Sequence, residues 1–304
     1  MTKFDAIGFG ALNVDLLFKV NRLAGAEEES FVEEYTEACG GSAANTIVAL
    51  ARLGCKVGFI GKIASDKEGK LQLDCFHAEG VDTNGIICSE QGKSGSVLGF
   101  VDKKGARALY INSGINDTIK FERVNAEYAS QARFLHLTSF VGDESIQAQI
   151  KLLASLPSNV KVSFDPGAIY ARKGYAAIEP IIQKTYVLMP NSFELEQLTG
   201  ESDYCKGADF MIGRGAKIVA VKLGSAGCYV TDGRERLRIE PFKVKVVDTT
   251  GAGDAFCAGF LYGLISNSSL SECGRLANFV ASRCVTKMGA REGLPYAKDL
   301  MQLS

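Results

Sequence analysis

Two rhythms of apolar and polar positions run along this chain. The first is short and extended. Phe4–Phe9 reads as a strand ending in a turn at Gly10, and Val57–Ile60 reads as another. Between them lie an acidic stretch (Glu27–Glu29, Glu33–Glu34) and a helical run, Ala43–Leu53, with Ala43, Ile47, Leu50 and Leu53 on one face. This β–excursion–α–β opening predicts a parallel sheet. From about residue 120 helix-like stretches alternate with apolar strands at Phe134–Leu137, Val160–Phe164, Tyr186–Met189, Ile218–Val221 and Gly227–Thr231. That alternation predicts an α/β fold, a three-layer α/β/α core with a mostly parallel sheet and ligands at the carboxyl ends of its strands.

The second rhythm interrupts the first. Val97–Val101 is extended, Asp102-Lys103-Lys104-Gly105 turns, and Ala108–Ile111 returns, which is a β-hairpin. Residues 14–20 and 31–38 are extended enough to pair with it. Two insertions, about 14–38 and 94–113, are therefore expected to build a small β-sheet lid on a single domain spanning 1–304. No internal repeat or long linker divides the chain.

Composition narrows the classes. The chain has 304 residues, 46% hydrophobic and 23% charged, with net charge −1, as expected of a globular protein with no strong pull toward nucleic acid or membrane. The N-terminus lacks a basic region followed by a long apolar run, and no uncharged apolar run reaches a membrane span, so a cytoplasmic location is expected. Nine cysteines without a C-x-x-C pair, most in apolar segments, are read as free buried thiols of a reducing compartment. With only His77 and His136, a histidine-based zinc site or a Ser-His-Asp triad has little to draw on.

Candidate chemistry concentrates in Asp248-Thr249-Thr250-Gly251-Ala252-Gly253-Asp254. Gly251 and Gly253 allow close backbone approach, and the apolar helix that follows adds free N–H groups and a positive dipole end, which together suit an anion. Asp254 would repel a merely bound phosphate, but it can take the proton of a hydroxyl that attacks one. The plain alternative is an acid complementing a helix dipole. Gly40-Gly41-Ser42-Ala43-Ala44-Asn45 reads either as a helix start capped by Ser42 or as a ligand approach with Asn45 in the first turn. Gly8-Phe9-Gly10 lacks the third glycine of a dinucleotide fingerprint, its place taken by Asn13; Asn13 and Asp15 instead suit sugar hydroxyls. Asn191 and Glu194 form either a capping box or a pair near a hydrated Mg²⁺. Lys222–Gly227 reads as a β-turn or as a loop along a nucleotide. No Walker-type phosphate loop is present.

Taken together, DTTGAGDAFCAGF, GGSAANTIVALARLG, GALNVD, SFDPG, NSFELEQLTG, KLGSAG and VTKMGAREGLP, in this order, resemble the ribokinase-like (PfkB) family of sugar and nucleoside kinases over nearly the whole chain. The resemblance implies Asp254 as catalytic base with 251–253 as anion hole. It implies Asn13, Asp15, Gly40, Gly41, Ser42, Asn45 and Thr138 at the acceptor. Asn191 and Glu194 would hold Mg²⁺ and phosphate, and Lys222, Gly224, Ser225, Gly227 and Asn278 would line ATP. A monovalent cation, usually K⁺, would be held mainly by backbone oxygens at Asp248, Thr250, Cys284, Lys287, Gly289 and Gly293. The lid would close over the sugar and form a homodimer contact. Ribokinases proper usually carry a glutamate near Thr138 and a lysine at Ser42; this chain has neither, and GGSAAN with SFDPG is more similar to archaeal nucleoside kinases. No basic cluster stands in the acceptor motifs, although Lys103, Lys104 and Arg107 of the lid are candidates for holding a sugar phosphate. The expectation is an ATP-dependent kinase acting on a hydroxymethyl group of a sugar or nucleoside, with ribose, nucleosides, hexoses and sugar phosphates open as acceptors and ADP open as donor. A non-catalytic nucleotide or sugar sensor and a nicotinamide oxidoreductase are the readings from other classes.

Overall fold

Within Ile218–Lys222, Val219 and Val221 enter one buried cluster while Ile218 and Ala220 enter another. A strand apolar on both faces needs a helical layer on each side, and that requirement organises the molecule. The computed structural model describes residues 2–103 and 106–303, apart from the side chains of Arg107 and Gln302. Its strands are β1 (Phe4–Phe9), β2 (Asn13–Val20), β3 (Val32–Gly40), β4 (Val57–Ala64), β5 (Asp82–Ser89), β6 (Gly95–Asp102), β7 (Arg107–Asn112), β8 (Ala132–Leu137), β9 (Lys161–Phe164), β10 (Thr185–Leu188), β11 (Ile218–Lys222), β12 (Cys228–Thr231) and β13 (Arg236–Ile239). Its helices are α1 (Ser42–Arg52), α2 (Lys67–Ala78), α3 (Ala126–Ser130), α4 (Asp143–Ser155), α5 (Gly167–Lys173), α6 (Tyr175–Ile182), α7 (Ser192–Thr199), α8 (Tyr204–Gly213), α9 (Ala252–Ile265) and α10 (Leu270–Cys284).

The large sheet has the order β13-β12-β11-β10-β9-β8-β1-β4-β5. It is parallel from β5 to β11 and antiparallel at β12 and β13. Residues of α1, α2, α9 and α10 pack in the core on one face, and residues of α3–α8 in the core on the other. The three layers expected from the sequence are present. β5 and β13 were not anticipated.

A separate four-stranded sheet has the order β3-β2-β6-β7. Two antiparallel pairs, β2–β3 and β6–β7, meet through parallel β2 and β6, so the two stretches flagged as extended do pair. Alternation turns Leu17, Val97, Val101, Leu109 and Ile111 toward a cleft above the large sheet. Lys104, Gly105 and the side chain of Arg107 lie outside the described residues; Lys103 pairs with Glu33 at 2.6 Å.

Two local expectations are corrected. Cys39, at the end of β3, and Cys75, in the last turn of α2, form a disulfide across a sequence separation of 36, so the cysteines are not all free thiols; the packing of α2 against β3 that joins them leaves no mark in local sequence. The cap of α1 is Gly41, not Ser42: Gly41 takes φ 99° and makes no side-chain cap bond, and Ser42 is the first helical residue. At φ 99° a glycine is strongly favoured.

Candidate active site

The loop ahead of α9 is wound by Asp248. Its Oδ1 accepts from the N–H (3.0 Å) and hydroxyl (2.8 Å) of Thr250, and its Oδ2 from the N–H of Gly289 at 2.8 Å. Gly251 then takes φ 76° against Ala290, whose atoms lie 2.7 Å from where a Cβ would stand. α9 starts at Ala252, and helix geometry leaves its first-turn N–H groups without carbonyls one turn earlier in the helix. The Ala252 N–H reaches Thr249 O at 3.2 Å. Behind this loop, Cys284 Sγ lies 3.6 Å from Thr250 O and 3.5 Å from Ala290 O, the Lys287 N–H donates to Cys284 O at 3.4 Å, and Gly293 packs directly on that carbonyl. The six positions proposed around a monovalent cation therefore gather in one carbonyl-rich cluster behind Gly251.

Asp254, third in α9, is part-exposed at the floor of the cleft. Asn45 Nδ2 donates to its Oδ2 at 2.9 Å, and Thr46 Oγ1 donates to its backbone carbonyl at 3.2 Å. Burial pushes the Asp254 carboxyl up to about 7, against the Asn45 hydrogen bond; Asp165 adds to the rise, while Lys222 and Arg291 oppose it. Such a value suits a general base near neutrality. Asn45 in turn accepts from Arg291 Nε at 2.8 Å.

A cavity of about 730 Å³ opens above Asp254 beneath the small sheet. Asn13, Asp15, Gly41, Ser42, Asn45, Thr138, Gly251 and Gly253 all line it, as do Asp248 and Thr250. Gly40 does not, but it lies against the Asp15 carboxylate, where a Cβ would collide. Asn13 is set by Asn116, whose Nδ2 donates to Asn13 Oδ1 at 2.9 Å and to Leu12 O at 3.0 Å. Burial raises the Asp15 carboxyl to about 6, offset in part by the Arg291 charge. The described lining includes Asp15, Asp117, Asp248 and Asp254 but no lysine or arginine.

A second cavity, of about 550 Å³, takes in Asn191, Lys222, Gly224, Ser225, Gly227, Ala252 and Asn278. Val246, Thr249 and Gly253 line both cavities, so the two meet at Gly253. Lys222 stands at that junction, its Nζ 3.4 Å from where a Gly253 Cβ would be, and pairs with Asp165 Oδ2 at 2.6 Å. Burial alone would depress the ammonium; the charge and hydrogen bond of Asp165, with Cys257 and Glu194, together outweigh it and keep Lys222 protonated. Asn191 and Glu194 form a full capping box on α7, each side chain bonded to the other's N–H at 2.8 Å. Glu194 is buried and does not line the cavity; burial and the Asp165 charge raise its carboxyl. Gly224–Ala226 is a short 3₁₀ turn rather than a β-turn, and the amide of Asn278 holds the carbonyls of Ile239 (3.1 Å) and Glu240 (3.0 Å) at the cavity edge.

The dinucleotide reading of Gly8 and Gly10 fails on packing. Gly8 is pressed between Ile47 and Phe59, and Gly10 between Ala43 and Thr138, so both serve close helix–strand contact. The sequence sets Asp165 among the polar groups at the carboxyl ends of the strands without giving it a role, and gives Arg291 none. Both belong to a network of charges drawn from distant segments, and that pairing is not visible in a local motif.

Comparison with known proteins places this geometry. The sequence model of the pfkB family carbohydrate kinases matches residues 4–297. An uncharacterized sugar kinase of Archaeoglobus fulgidus is 46% identical over 255 residues, 83% of this chain and 100% of the relative. An ATP-dependent ribose-1-phosphate kinase of Halopiger xanaduensis is 33% identical, covering 93% of this chain and 92% of its own. The structure of Arabidopsis thaliana ribokinase complexed with ribose and ATP superposes with TM-score 0.88 at 26% identity, over 100% of this chain and 99% of that one.

Proposed function

The chain belongs to the pfkB family of carbohydrate kinases, and from that premise we propose that it transfers the γ-phosphate of ATP to a hydroxymethyl group held in the larger cavity. The observation that carries this reading is the meeting of the two cavities at Gly253, with Asp254 on one side and Lys222 on the other. ATP lies in the Lys222–Asn278 cavity with its γ-phosphate toward Gly253. The acceptor lies on Asn13, Asp15, Asn45 and Thr138.

Asn45 occupies Oδ2 of Asp254, which leaves Oδ1 to take the hydroxyl proton as the oxygen attacks in line. Charge developing on the transferred group meets the amides of Gly251 and Gly253, the N-terminus of α9 and the Lys222 ammonium; the Ala252 amide joins them if Thr249 O releases it. Closure of the small sheet as a lid on a single 1–304 domain excludes water from the transfer. The exposed Tyr35 and Tyr110 on the same sheet, with Phe31 just ahead of β3, favour a homodimer contact there.

Two ions fit the residues present. The carboxylates of Glu194 and Asp165 outnumber the Lys222 ammonium beside the donor cavity, and oxygen ligands with an Asn191 amide suit a hydrated Mg²⁺. Bound there, Mg²⁺ would neutralise phosphate charge. The carbonyls of Thr250 and Ala290, which meet the weak thiol donor of Cys284, suit a monovalent cation such as K⁺ behind the anion hole. Among the described residues no helix is long and apolar enough to cross a membrane; a cytoplasmic location remains part of the proposal.

The acid-only described lining favours a neutral sugar or nucleoside as acceptor. A sugar phosphate is the second reading, favoured by the similarity to the ribose-1-phosphate kinase. A panel of sugars, nucleosides and sugar phosphates with Mg-ATP or Mg-ADP, with and without K⁺, decides between them through the coupled detection of ADP or AMP. Product with neutral acceptors supports the first reading, product only with sugar phosphates the second, and none with any acceptor contradicts both.

A further inference from the structure

Arg291 makes its side-chain hydrogen bond toward the catalytic centre to Asn45. A carboxamide has two orientations that differ by exchange of its oxygen and nitrogen. One puts an N–H donor on the Asp254 carboxylate; the other puts an oxygen there. Arg291 Nε, a donor with no acceptor capacity, lies 2.8 Å from Asn45 Oδ1, while Asn45 Nδ2 lies 2.9 Å from Asp254 Oδ2. The guanidinium therefore selects the orientation that aims the amide donor at Asp254.

Arg291 is itself held at both ends. Its Nη2 donates to Gly40 O at 3.3 Å, and its own carbonyl accepts from Arg52 Nη1. Arg52 is fixed in turn by Glu79, with Nε to Oε2 at 3.0 Å. Asn45 lies in the first turn of α1 and Arg52 closes it, so one helix carries both contacts. The charges bearing on Arg291 are Asp15, Glu79, Arg52 and Asp254, and those bearing on Asp254 are Asp165, Lys222 and Arg291.

We propose that Arg291 is a positioning residue for phosphoryl transfer, locking the Asn45 carboxamide so that Asp254 presents its free oxygen to the acceptor hydroxyl. This rests on the kinase reading above. A double-mutant cycle of Asn45→Ala, Arg291→Met and the pair, read as kcat, acceptor KM and Mg-ATP Kd, tests it. Each single variant should lose roughly 10–100-fold in kcat with Mg-ATP Kd unchanged, and the pair should lose no more than about threefold beyond the worse single. Multiplicative losses, or an Arg291→Met variant with wild-type kcat, overturn the proposal. Guanidinium ion supplies a second arm that tolerates a destabilised variant: it should restore kcat to Arg291→Ala and not to Asn45→Ala/Arg291→Ala. Equal rescue of both, or of neither, contradicts the relay. Absence of kinase activity in the wild type would instead remove the functional reading beneath it.

Discussion

Asn45 Nδ2 and Asp254 Oδ2 lie 2.9 Å apart across 209 residues of sequence. That bond favours the ionised carboxylate, yet burial outweighs it and the carboxyl rises to about 7. As a base, Asp254 must be ionised in the free enzyme, so kcat/KM should fall about tenfold per pH unit below 7 and level off above 8. A pH profile measured at fixed Mg²⁺ checks this; an acidic limb near 4 contradicts it.

The same shift has a consequence for stability. A carboxyl raised in the native state binds more protons there than in the unfolded chain between the ordinary Asp value of 3.8 and about 7. Its contribution therefore weakens as pH rises through that window. Urea midpoints at pH 5 and pH 8 should differ less in Asp254→Asn than in wild type. An unchanged difference would show that Asp254 does not titrate there.

How much of this was legible in the sequence differs from element to element. The glycine-acid signature at Gly251–Asp254 is local: turn, close approach and helix start need neighbours only a few residues away. The strands of the small sheet were legible for the same reason. Arg291 was not, because its meaning depends on Asn45, 246 residues earlier. Gly41 displaced Ser42 as the cap because backbone at φ 99° outranks side-chain capping preference. Cys39 and Cys75 met because α2 folds back on β3, a tertiary contact with no local signal.

Gly251 and Gly253 should respond differently to the same methyl. At Gly251 alanine meets Ala290 and an unfavourable φ of 76°, so Gly251→Ala should lose stability, by about 1–3 kcal/mol. At Gly253 the nearest atom is Lys222 Nζ at 3.4 Å, so Gly253→Ala should keep its Tm within a few degrees while losing turnover at the cavity junction. Thermal melts paired with turnover separate the two; equal Tm losses would contradict the contrast.

The Cys39–Cys75 disulfide closes a loop with a sequence separation of 36. In oxidised protein Cys75→Ser should lower unfolding free energy by roughly 2–4 kcal/mol. Under a strong thiol reductant the variant and wild type should converge. Denaturant curves with and without reductant test this, and a gap that persists under reductant would show that packing rather than the bond carries the effect.

Phosphoryl transfer turns on Asp254 as the base. Asp254→Asn keeps the size of the side chain and removes the proton acceptor. With the best acceptor from the panel, turnover should fall about 10²–10⁴-fold while Mg-ATP affinity stays within a few-fold of wild type. Turnover near the wild-type value, at unchanged Mg-ATP affinity, would contradict it.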